Sequence, residues 1–224
     1  MDFDLDIQRD IVERENVLFE IERALFTGRY NLSLKHRNIF WSHSISLLYS
    51  IWEGFTQTAF NLYVDELNKL NLNIFDYCDK IRISYMESTF KQLINYPNKV
   101  NSKIIFYQNL KNFHLAPVQP LNRVVNTESN VGLNVLNRLL ETFALEPFPE
   151  HWNTYTHPNP NLKDSLNLLL KLRNDVSHGS VSYSHYIIEQ DEFGRFKNLV
   201  IDLMYEIRLK MVDGLASKTY RNRI

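Results

Sequence analysis

LLYSIWEGFTQTAFNLYVDELN, residues 47–68, decides how the chain folds. Within the longer stretch 38–70, Ile45, Leu48, Tyr49, Trp52, Thr56, Ala59, Phe60 and Tyr63 recur at spacings of three and four. That period places them on one side of an α-helix and on both sides of a strand. No proline interrupts the run, and its only glycine, Gly54, costs roughly 1 kcal/mol against alanine at a mid-helix position. The stretch therefore predicts one long helix, with Gly54 kept for close packing against another backbone.

Outward from this helix the same period recurs. Ile11, Val12, Leu18, Ile21, Leu25 and Phe26 predict a helix over 8–27, with Gly28 as its stop. Helices are expected over 79–95, ending before Pro97; within TESNVGLNVLNRLLETFAL; over 161–178; and over 191–217. Only six glycines occur in 224 residues, and two-residue hairpin turns are absent, which also favours helices. HLAPVQPLNRVV (114–125) and EPFPEHWNTYTHPNPN (146–161) break the pattern with proline and are read as loop insertions, about 113–127 and 146–160. VSYSHYIIE (181–189) reads as a short extended piece. The expectation is a single all-α domain over residues 1–224.

Composition narrows the function. The chain is 44% hydrophobic with a net charge of −1, enough apolar content for a core and no global field to recruit a polyanion. A nucleic-acid site must then be a local cluster. One cysteine, Cys78, excludes an internal disulfide and a Cys-based zinc cluster. The acidic start, MDFDLDIQRD, lacks an apolar signal core, and no apolar run approaches the ~18 residues of a membrane span. A cytoplasmic protein with no membrane partner is expected. There is no glycine-rich phosphate loop, no H-E-x-x-H and no nucleophile elbow.

The leucine-rich run DSLNLLLK (164–171) passes into LRNDVSHG (172–179). Asn174 and His178 are four apart and share a helical face. Arg173 has a side chain long enough to reach the same end, and Gly179 stands where a helix-ending glycine belongs. The ordinary reading of an arginine and a histidine there is helix capping, since cations are favoured at that end of the dipole. Glu53 falls on the inner stripe of the long helix, where a carboxylate needs a partner, and Arg173 is the obvious one. An ion pair that positions Arg173 ranks above direct catalysis for Glu53. His151 and His157 match no zinc spacing, His36 and His43 read as surface or packing residues, and no metal or cofactor is expected. The basic KHR (35–37) and KTYRNRI (218–224) read first as exposed helix ends, and second as local phosphate contacts.

Arg173-Asn174-Asp175-Val176-Ser177-His178 resembles the arginine–histidine signature of the HEPN superfamily. Residues 47–68, with Trp52-Glu53-Gly54, look like the long helix of its stand-alone bacterial MAE-type branch. ESNVGLNVLNRLLETFAL (128–145) is similar to the helix that precedes the motif helix there. The sequence departs from the pattern at Ser177, where alanine is more usual. The resemblance implies an all-α HEPN-like bundle of long antiparallel helices that forms a homodimer with two R-x4-H motifs in one cleft. It further implies a metal-independent endoribonuclease, toxin or antiviral effector, acting on RNA, with a cognate antitoxin protein as a further partner. Arg173, Asn174 and His178 would then be catalytic, with Glu53, Asp175, Ser177 and His185 in support. Two other readings stay open: a non-catalytic HEPN module that binds a nucleotide, RNA or a protein through the same cleft, and a component whose motif serves mainly in complex formation. An intact arginine and histidine favour the nuclease.

Overall fold

The computed structural model describes residues 3–123, 127–128, 130–152, 161–177 and 188–222. Among these the chain forms seven α-helices and no strand. They are α1 (Phe3–Phe26), α2 (Leu34–Lys69), α3 (Asp79–Thr89), α4 (Val100–Leu115), α5 (Leu133–Thr142), α6 (Leu162–Ser177) and α7 (Gln190–Ala216). The all-α expectation holds.

α2 is the axis. Its 36 residues span roughly 54 Å at about 1.5 Å per residue. Ser33 caps its start, its hydroxyl accepting from the His36 N–H at 3.3 Å. α1, α6 and α7 pack along α2, and α1 also packs on α7. α2 buries Ile45, Leu48, Tyr49, Trp52, Thr56, Ala59, Phe60 and Tyr63, the whole stripe read from the sequence, and Phe55, Val64 and Leu67 besides. At ~25 cal/mol per Å² of apolar surface, such a stripe contributes far more than helix propensity does.

Gly54 serves a different end from the one expected. A side chain there would meet not backbone but the Arg14 guanidinium, with Nη1 3.0 Å from where a Cβ would stand. Arg14 lies across the α2 surface, donating from Nη1 to the Ile51 carbonyl at 3.2 Å and from Nη2 to Thr58 Oγ1 at 3.2 Å, while its Nε bonds Asp10 at 2.7 Å.

Several boundaries need correction: α1 begins at Phe3 rather than at residue 8, and α2 at Leu34 rather than at 38. Helix α3 ends at Thr89, followed by a 3-10 turn over Lys91–Leu93, because Phe90 leaves helical geometry (φ −116°, ψ 78°) and turns its ring onto Phe106 and Phe113. Helix α4 is absent from the sequence reading, and it continues through Leu115, so the loop expected from about 113 begins at Ala116. Of its 16 residues only Phe106 is buried, which leaves little periodic signal to read. Leu145, just before the second loop, and Phe148 within it are core residues, and Trp152 stands edge-on to Phe148, whereas 153–160 lie outside the described residues. So does most of the expected extended piece, 181–187.

The C-terminal segment is tied down. Cys78 N–H donates to the Tyr220 carbonyl at 2.7 Å, Asn222 N–H donates to the Asp76 carbonyl at 2.9 Å, and Tyr220 is buried.

Three core phenols make the fold sensitive to alkali. Burial pushes Tyr49 and Tyr63 above the ordinary value of 10.0 and pushes Tyr77 up to about 12. The unfolded chain loses these protons near pH 10, before the folded chain can. Their contribution is therefore fully present below pH 10 and declines as pH rises toward 12. Urea midpoints should fall across this window, and the phenolate absorbance of the buried rings should appear only with unfolding, after that of exposed tyrosines such as Tyr30.

Candidate active site

The candidate site lies where α2 meets the end of α6. Leu162, Leu166, Leu169, Leu172 and Val176 form the buried stripe of α6 and fix its rotation against the core. Arg173 follows Leu172 on the stripe's edge and is about a fifth exposed. Its guanidinium carbon sits 4.2 Å from the centroid of the Tyr49 ring on α2, a cation–π contact. Its Nη2 stands 4.0 Å from Glu53 Oε2, at the outer limit of an ion pair, and its Nη1 donates to Asn174 Oδ1 at 2.9 Å.

Glu53 is shared. Its other oxygen, Oε1, accepts from Thr127 Oγ1 at 3.0 Å, and Gln57 Nε2 donates to the same hydroxyl at 3.1 Å. The sequence places Glu53 near the core; the structure leaves it half-buried, its side chain about a fifth exposed. An isolated buried carboxylate would be costly. One held by a hydroxyl, near a guanidinium and at the edge of solvent, is not.

Tyr49 carries the arrangement. Its hydroxyl accepts from the Val131 N–H at 2.6 Å, and Trp52 Nε1 donates to the Val131 carbonyl at 2.9 Å. Both backbone groups of Val131 are thus taken by side chains one turn apart on α2. The loop before α5 is held there, with Gly132 close against Leu170 and Asn167 of α6. Desolvation raises the Tyr49 phenol pKa despite the Val131 bond, which pulls it down, so the ring stays neutral beneath the cation.

The structure thus brings Arg173, Asn174, Glu53 and Tyr49 together. Thr127, Gln57 and Val131 complete the surroundings. Sequence reasoning missed Tyr49 as a site residue, though it stands four residues before Glu53 on the same stripe. Asn174 turns its amide oxygen to Arg173, which leaves Nδ2 as its donating end. Asp175 is half-buried and Ser177 exposed at the helix end. His178 and Gly179, which directly follow, lie outside the described residues, as do His185 and His157. His36 and His151 are exposed and His43 is half-buried. Among the described residues no three His, Cys, Asp or Glu side chains are grouped to hold a metal ion, and no helix is long and apolar enough to cross a membrane.

A guanidinium held on a tyrosine ring beside a carboxylate is a preset positive charge. It suits a phosphate or another oxyanion.

Tyr49→Phe tests the anchor. It keeps the ring beneath Arg173 but strands the buried Val131 N–H, which should cost about 1–3 kcal/mol. Tyr49→Leu removes the ring as well. Denaturant titrations should show both variants destabilised, and Tyr49→Leu more so.

No curated protein and no solved structure matches the chain. A family model described as HEPN_MAE_28990-like HEPN matches residues 6–220, which takes in the axis helix α2, the motif helix α6 and all that joins them. The chain belongs to that HEPN family.

Proposed function

We propose that this chain is a metal-independent endoribonuclease, a toxin or defence effector acting in the cytoplasm as a homodimer. Two R-x4-H motifs, one from each protomer, face one another across a shared cleft. The observation that supports this best is the preset guanidinium of Arg173, five residues before His178 on the helix that ends at Ser177.

RNA brings its own nucleophile. The 2′-oxygen attacks the adjacent phosphorus while a base takes the 2′-proton. The bond from phosphorus to the 5′-oxygen breaks, and an acid protonates the departing oxygen. A 2′,3′-cyclic phosphate and a 5′-hydroxyl remain, and no water or redox partner is consumed. Histidine titrates near neutrality and serves as base or acid. One histidine fills one role at a time, so two protomers supply both. Arg173 offsets charge building on the nonbridging oxygens, and Asn174 donates from Nδ2 to the same group. Glu53, through Arg173, is a positioning residue. A cognate antitoxin would act by covering this cleft.

Cleavage should persist in EDTA and leave 2′,3′-cyclic phosphate ends; 5′-phosphate ends or loss of activity with chelator would point to metal-activated water instead. Light scattering should give a dimer at micromolar concentration.

His178→Ala should lower cleavage on the order of 10²-fold or more. The variant should stay folded, since α6 is anchored by Leu162, Leu166, Leu169, Leu172 and Val176. Arg173→Ala should lose a comparable rate, and Arg173→Lys should not restore it, since an ammonium cannot span two phosphate oxygens. Glu53→Gln should keep the Thr127 contact and reduce activity less than Arg173→Ala. Wild-type cleavage by a folded His178→Ala variant would refute the nuclease. Unfolding of that variant would instead assign His178 to capping.

A further inference from the structure

From Ser88 to Thr127 the chain has no aspartate or glutamate, although the whole chain has 26. The same forty residues carry Lys91, Lys99, Lys103, Lys111 and Arg123. Arg123 is paired with Asp65 on α2. The four lysines make no ion pair among the described residues, although most of the chain's other cations do. A local charge of +4 thus stands on a protein whose net charge is −1.

This charge sits on an arm that the bundle hardly covers. α4 buries only Phe106 fully, and Phe106 and Phe113 fasten the arm to Phe90 and Tyr85. Tyr96 and Tyr107 remain 50% and 56% exposed, with their hydroxyls 3.4 Å apart. The Lys103 ammonium stands 5.1 Å from the Tyr96 ring centroid. The polar side chains between the lysines are mostly neutral amides, among them Asn95, Asn101, Asn109 and Gln108. Amides both donate and accept, as base edges require.

We infer that the α4 arm is a second RNA-binding surface, one that takes a single strand by stacking bases on Tyr96 and Tyr107 and neutralising its phosphates with Lys99, Lys103 and Lys111. Exposed aromatic rings beside cations that make no ion pair are what an unpaired strand recognises: bases stack on the rings, and each neutralised phosphate adds a salt-dependent increment. A second copy of the chain fits less well, since it would set four lysines against four. Ile104 and Val100, exposed beside these rings, extend the apolar platform. The choice of RNA over DNA rests on the proposed nuclease reading; the arm itself does not.

The test uses a 12-nucleotide oligouridylate with 2′-O-methyl groups and a fluorescein label. It cannot be cleaved through its 2′-position, so anisotropy reports binding alone. The full chain should bind it more tightly than it binds a 2′-O-methyl duplex of the same length. Lys99→Glu/Lys103→Glu/Lys111→Glu should weaken binding at least tenfold and flatten the dependence of log Kd on log salt by about 0.7 for each phosphate no longer neutralised. Tyr96→Ala/Tyr107→Ala should weaken it about tenfold or more with the salt slope kept. All these positions are outside the core, and Lys→Gln versions with circular dichroism check that charge rather than folding is read. Unchanged affinity in either variant set, or equal affinity for the duplex, overturns the inference. If the variants instead dissociate a dimer and leave RNA affinity unchanged, the face belongs to a second copy and the inference falls. RNA cleavage by a chain whose arm variants bind normally rejects the arm alone. Binding that needs the arm, in a chain that never cleaves, supports the arm and rejects the nuclease.

Discussion

Tyr49 is the side chain on which the candidate site depends, because one ring performs two incompatible-looking tasks. Its hydroxyl fixes the chain at Val131, and its π face receives a guanidinium. The first task needs a desolvated phenol, the second a neutral, electron-rich ring. Burial serves both, since it holds the phenol in its protonated form. The loop at 127–132 and the end of α6 are then not independently placed. Any displacement of Val131 tilts the ring beneath Arg173, and any repacking of α6 changes what the ring sees. Trp52, one turn on, repeats the grip from the carbonyl side, so Val131 cannot pivot about a single bond.

The buttress on Arg173 is graded rather than absolute. At 4.0 Å and partly solvated, the Glu53 interaction is worth little as stability; exposed pairs typically contribute ~0–1 kcal/mol. Its effect is directional, in that it limits where the guanidinium swings. The bond to Asn174 and the ring below restrict the remaining freedom. Weak restraints from two helices orient a long side chain without the desolvation cost of a fully buried pair.

How much of this was legible in the sequence follows from how each element is stabilised. Helices α1, α2, α6 and α7 bury a continuous face, so their apolar residues had to recur at helical spacing. Their C-terminal limits agree with the reading to one residue, whereas α1 and α2 begin five and four residues earlier than read. α4 escaped because it packs through little more than Phe106 and Phe113 and exposes Val100, Ile104 and Leu115; a helix held by ring contacts at two points leaves no stripe. At the site, the approach of Glu53 to Arg173 was readable because both sit on inward edges of long helices. The part played by Tyr49 was not, since a buried tyrosine on a core stripe looks like any other core residue. Nor was the reason for Gly54, because Arg14 reaches it from another helix, forty positions earlier.

The first and last helices are sewn together along their length. Asp4 meets Arg208 through two bonds at 2.7 and 2.8 Å, Tyr205 donates to Glu15 at 3.1 Å, and Lys197 pairs with Glu22. These partners are 175 to 204 positions apart in the chain. During synthesis α1 can pack on α2 early, but the face it turns to α7 stays uncovered until α7 is made. At about 5–20 residues per second the interval is roughly 10–40 s. The bundle has no self-sufficient N-terminal half to complete early, and the helix bearing Arg173 emerges before the element that closes the core behind it. The closed bundle, and with it the setting of Arg173, is complete only once α7 has emerged.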